Sequence, residues 1–119
     1  MLSIGTAVRT GRLDAPADPA RLADRILRAL DAALARSAPG WLGHCKLMIE
    51  AGESVCYASV TESGGPLGWS GPPPAAGPFR VTLYCAAYGV DEAQAAAAVA
   101  QALAAEPDIV LDEDDQAPR

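Results

Sequence analysis

The sequence predicts an α+β two-layer sandwich, with an antiparallel four-stranded sheet and two helices packed on one of its faces. Three observations predict it. Four stretches alternate apolar and polar residues with period two, as half-buried strands do. Two others repeat apolar residues at helical spacing and begin on capping residues. The order is strand, helix, three strands, helix. An antiparallel sheet with both helices on one face buries both helical stripes and leaves the other face free. At 119 residues, half of them hydrophobic, the chain is one domain's worth with enough apolar material for a core. That domain is expected over residues 1–111, followed by an acidic tail over 112–119.

The first strand is expected over Leu2 to Arg9. Leu2, Ile4, Thr6 and Val8 there alternate with Ser3, Gly5, Ala7 and Arg9, and the first set is the more apolar face. Asp18 is a suitable N-cap, and Pro19 at the first helical position loses no needed N–H. Leu22, Ile26, Leu27, Leu30, Ala33 and Leu34 form one stripe, with Asp24 and Arg28 a supportive pair on the outside. Ser37-Ala38-Pro39-Gly40 stops the helix.

Strands are expected at His44–Glu50 and Ser54–Thr61, joined by Ala51-Gly52-Glu53 as a three-residue hairpin loop. In that register Glu50 faces Ser54 and Met48 faces Cys56. Cys45, Leu47, Ile49, Val55 and Tyr57 then share one face, and His44, Lys46, Met48, Cys56, Ala58 and Val60 the other. A slip of one residue exchanges the faces of one strand.

Residues 62–78 read as a long Gly/Pro-rich loop, with Trp69 its one large apolar side chain. Phe79 to Gly89 is the clearest strand: Phe79, Val81, Leu83, Cys85 and Ala87 alternate with Arg80, Thr82, Tyr84, Ala86 and Tyr88. Asp91 caps the second helix, with Gln94 in capping-box position. Alanine dominates 93–105, which suits close approach to a sheet. Pro107 ends that helix, and Ile109-Val110-Leu111 is a candidate short edge strand. Asp112 to Asp115 reads as a solvated acidic run.

The element order is similar in layout to ferredoxin-like folds, although an extra strand before the second helix departs from it. The helix–three strands–helix run is similar in outline to double-stranded-RNA-binding domains. Neither likeness rests on a motif, so no family is assigned. The net charge of −6 and the lack of a basic loop argue against nucleic acid as a partner. No apolar run approaches the ~18 residues of a membrane span. No signal-peptide pattern follows Met1, and three cysteines make an odd number, so a reducing cytoplasm is the expected location and a disulfide framework is not expected.

Residue types and spacing bear on several chemistries. His44, the single histidine, adjoins Cys45, a pair that suggests a thiolate and its base. Strand alternation sends the two side chains to opposite faces, which argues against the dyad. Cys45, Cys56 and Cys85 read as small buried hydrophobes. His44 with the three cysteines has the ligand types for zinc but no Cys-x-x-Cys spacing, so no metal site is expected. Gly64-Gly65-Pro66-Leu67-Gly68 lacks the lysine and the following helix of a phosphate loop, and no cofactor is expected.

The free sheet face is the most informative feature. It is expected to carry His44, Lys46, Met48, Cys56, Arg80, Thr82, Tyr84 and Tyr88, with Ala58, Val60 and Ala86 among them. That mixture is too apolar for a solvated face and too polar for a core, as interfaces are. The expected function is a non-enzymatic interaction or assembly module. It self-associates or binds another protein through this face, with His44, Lys46, Arg80, Tyr84 and Tyr88 as contacts and Trp69 gating access. The alternative is a small enzyme with a pocket between the face and residues 62–78. There His44 is the general acid/base, and Lys46 or Arg80 holds an anionic substrate.

Overall fold

In the computed structural model, which describes residues 3–14, 17–74 and 78–112, the periodic stretches form one six-stranded antiparallel sheet and two helices. The elements are β1 (Ile4–Leu13), α1 (Pro19–Ser37), β2 (Leu42–Ala51), β3 (Ser54–Glu62), β4 (Gly68–Ser70), β5 (Phe79–Tyr88), α2 (Glu92–Ala104) and β6 (Ile109–Leu111). The sheet order is β4-β3-β2-β5-β1-β6. The helices touch each other on one face, α1 over β2 and β3, α2 over β1 and β5. The α+β class stands. The sheet has six strands rather than the four expected, because β6 pairs with the end of β1 and β4 forms inside the 62–78 segment.

The capping chemistry acts as the residue types dictate. Asp18 accepts from the Ala20 N–H at 3.0 Å, and Asp91 and Gln94 close a reciprocal capping box. The buried side of α1 is the predicted stripe, joined by Ala23 and Pro19. The buried side of α2 is Ala95, Ala98, Val99, Ala102 and Leu103. Small side chains there bring the helix axis down onto the sheet.

That closeness explains why β1 faces opposite to expectation. Gly5, Gly11 and Leu13 are buried and Ala7 is half-buried, whereas Ile4 and Val8 are exposed. A Cβ at Gly5 would strike the Asp91 carbonyl oxygen and lie 2.8 Å from that of Val90. Only the small set fits under α2, so the larger apolar residues are turned outward. Leu2, which the sequence placed with Ile4, lies outside the described residues.

The β2–β3 hairpin also corrects its expected register. Ala51 pairs with Ser54, leaving Gly52-Glu53 as a two-residue turn. Gly52 has φ 60°, and no described non-glycine residue has positive φ, which is the pattern of a type II′ turn. The one-residue change reverses β3. Cys56, Ala58 and Val60 now face the helices beside Ile49, Leu47 and Cys45, and all six are buried. Val55, Tyr57 and Ser59 move to the open face. Both sets in β3 are partly apolar, so alternation alone did not choose between them.

Trp41, just before β2, is in the core, and its indole N–H donates to Asp31 Oδ1 at 2.9 Å. Asp31 Oδ2 accepts the Gly64 N–H at 2.8 Å, and Arg28 Nη1 donates to the Gly65 carbonyl at 2.6 Å. These bonds hold the start of the 62–78 segment against α1, on the helix side. Of the expected acidic tail, Asp112 is held at the sheet. Its N–H donates to the Thr10 carbonyl at 2.9 Å, and its carboxylate pairs with Arg80 at 2.6 Å. Residues 113–119 lie outside the described residues.

Candidate functional site

Five of the six residues singled out from sequence stand on the open face. Lys46 is directly opposite Tyr84, His44 opposite Ala86, and Arg80 opposite Glu50 on one side and Arg12 on the other. Tyr88 faces Ile4. The structure thus groups His44, Lys46, Tyr84 and Tyr88 toward one end. Arg80 sits further along β5, about 13 Å from the level of Lys46 and Tyr84 and about 20 Å from that of His44 at ~3.3 Å per strand residue.

Trp69 does not join them. It pairs with Ala58, a buried helix-side position, so the indole lies on the other face at the sheet edge. With Gly64 and Gly65 tied to α1 and 68–70 extending the sheet in its plane, this part of the segment leaves the open face uncovered. The gate expected at Trp69 is therefore placed away from the surface it would gate. Residues 75–77 lie outside the described residues.

What the face offers is contact chemistry. Tyr84 is 39% exposed and Tyr88 48%, and Ile4, Val8, Val55 and Val110 are exposed on the same side. The Lys46 ammonium lies 5.4 Å from the centre of the Tyr57 ring, a cation–π contact that holds the stem of Lys46 along the face. Tyr57 entered the face through the register of the hairpin, and the sequence reading placed it in the core. Arg80 is engaged by Asp112, which leaves it less free for an anionic ligand than its residue type suggests.

The thiols lie across the sheet from His44. Cys45, Cys56 and Cys85 are all buried on the helix side, and His44 is exposed on the open side. Cys45 and Cys85 are cross-strand neighbours. The hydrogen bond to Cys85, together with burial, pushes the Cys45 thiol up, and burial does the same to Cys56. A thiol held protonated and out of water is a poor nucleophile. Cys56, expected on the open face, is a core residue. Among the described residues, no three His, Cys, Asp or Glu side chains come together as a metal site.

Two concavities are notable. One, of about 500 Å³, is lined by Ala38, Pro39, Trp41, Leu42 and Tyr88 at the rim where α1 ends and β2 begins. Its lining is mostly apolar, and the Tyr88 phenol is the one acid–base group that lines it. The other, of about 260 Å³, lies between β1 and α2 and holds Arg9 and Glu92. Neither is lined by His44. Arg9 and Glu92 lie outside the sequence-predicted site; the signal for Arg9 is the glycine spacing in β1, which puts odd-numbered positions under α2. Among the described residues, no helix is long and apolar enough to cross a membrane. In comparisons with known proteins, the chain matches no family model, no curated protein and no solved structure.

Proposed function

We propose that this chain is a non-enzymatic protein-interaction or assembly module that docks a protein surface, its own copy or a partner, on the open face of its sheet. The observation that carries the reading is the distribution of exposed apolar side chains. Ile4, Val8, Val55, Tyr84, Tyr88 and Val110 project from one face, interleaved with Thr6, Thr82, Lys46 and His44. Tyrosines flanked by short polar and aliphatic residues are typical interface anchors. The catalytic alternative lacks convergence. His44 and Arg80 are too far apart to hold one small substrate, and His44 with its neighbour Lys46 stands on the open face outside both concavities.

The test is the double substitution Tyr84→Ala with Tyr88→Ala. Assembly mass and partner retention are read in parallel with far-UV circular dichroism. Loss of partner retention, or of assembly beyond a simple dimer, with an intact fold is the expected result. A double variant that keeps its partner and every assembly larger than a dimer removes the proposal.

A further inference from the structure

β1 is paired on its outer side along only part of its length. β6 pairs with Gly11, Arg12 and Leu13, and Asp112 donates to the Thr10 carbonyl. In a strand the N–H and C=O of one residue point to the same side, and successive residues alternate. Thr10 therefore fixes the phase. Ile4, Thr6 and Val8 also turn their backbone groups away from β5, and among the described residues no strand pairs with them there. An edge of this kind is a template for another strand.

The ground beside that edge is shaped as well. Glu92, Ala96 and Ala100, at i, i+4 and i+8, form the flank of α2 that borders the smaller groove with Thr6, Val8 and Arg9. Past Glu92 that flank carries only methyl groups, so a second helix can approach to the close end of the ~8–10 Å range of packed helices. Arg9 lies in the groove with its Nε buried and without a hydrogen-bond partner among the described residues. Glu92 is exposed at the start of α2.

We infer that the free edge of β1 pairs antiparallel with β1 of a second copy, about a two-fold axis through Thr6. The free residues set the register. Thr6 opposes Thr6, and Ile4 opposes Val8 in both directions. All three outward residues of each copy are then hydrogen-bonded, and β6 is not displaced. In this register Arg9 of one copy opposes Ser3 of the other. That is the end of β1 where Gly5 underlies the start of α2, so Arg9 of each copy reaches Glu92 of the other. On the open side, Ile4 and Val8, 51% and 53% exposed, become cross-strand neighbours. The charge match, the apolar match and the free backbone length all select a second copy as the occupant. This surface is an edge and is distinct from the face proposed above.

The experiment is native mass spectrometry, with light scattering after gel filtration as a check, on wild type and variants at equal concentration. Wild type is expected at twice the subunit mass. Thr6→Pro deletes one outward amide without touching the β5 ladder, and is expected at single mass with unchanged circular dichroism. Arg9→Glu and Glu92→Arg each weaken the dimer roughly ten-fold. The charge-swapped double variant restores it, a readout that does not depend on whether the proline variant folds. Tyr84→Ala with Tyr88→Ala leaves the edge dimer intact. A wild-type protein of single mass at every concentration overturns the edge dimer and leaves the open-face reading to its partner test. A dimer that survives Thr6→Pro but is lost in the tyrosine variant overturns the edge and assigns self-association to the face.

Discussion

Asp31 grips Trp41 with one carboxylate oxygen and the Gly64 N–H with the other, at 2.9 and 2.8 Å. A single helical side chain thus fixes both the chain entering β2 and the chain leaving β3. Asp31→Ala leaves a buried indole N–H without its acceptor. It is expected to cost about 2 kcal/mol, read as a lower urea midpoint with unchanged slope. Asp31→Asn keeps an acceptor for the indole and is expected to lose less. Equal losses in the two variants would show that the hydrogen bonds are not what holds this corner.

Gly5→Ala tests the close approach of α2 to β1. The added methyl meets the backbone carbonyls of Asp91 and Val90, which have no rotamer to move into. A loss of roughly 1–3 kcal/mol is expected, as for overpacking in cores. Gly68→Ala is the control, since a Cβ there meets only Ser59 Oγ at an ordinary 3.5 Å. Thermal melting that shifts equally in both would refute the assigned contact.

The buried thiols give a pH dependence with a definite sign. Cys45 and Cys56 hold their protons more tightly folded than unfolded. Above a thiol's ordinary 9.0 the unfolded chain releases those protons while the folded chain retains them. Their contribution is therefore fully present below that value and declines as pH rises beyond it. Stability profiles of wild type and Cys56→Ala are expected to diverge only above it. In the same samples, a thiol reagent should label the native protein far more slowly than the unfolded one.

The Arg80–Asp112 pair is short but half in solvent on the arginine side, where ion pairs are worth little. Asp112→Asn is expected to change stability by under about 1 kcal/mol, with the difference fading in high salt. A larger loss in denaturant titration would mean that this carboxylate anchors β6 by more than charge.

Much of this architecture was legible in the residues. The α1 stripe, both caps, the Phe79–Tyr88 alternation and the short Ile109–Leu111 strand all follow from local chemistry that tertiary packing reinforced. Two assignments of face were not legible. In β3, Val55 and Tyr57 compete with Cys56, Ala58 and Val60 for the core. The choice was made by Gly52, whose positive φ allows a two-residue turn. In β1, hydrophobicity favoured Ile4 and Val8 for the core, but the space under an alanine-rich helix admits only Gly5, Ala7 and Gly11. A glycine every few residues in a strand is a signal of close approach, and it outweighed the apolar count. The same two reversals explain the candidate site. His44, Lys46, Arg80, Tyr84 and Tyr88 sit on strands whose facing was correctly read. Tyr57 and Arg9 belong to the two strands whose facing was not.

The opposite border of the sheet has a consequence for how large any assembly can grow. β4 offers three residues and is followed at once by Gly71 and Pro72, so it gives an incoming strand almost nothing to lengthen against. A sheet with one receptive border and one blunt border cannot add subunits end upon end. Once two receptive borders have met about a two-fold axis, both are consumed, and what faces solvent is a blunt border at each end. In the proposed edge dimer, the short β4 and the proline after it would leave little border on which a fibre could grow.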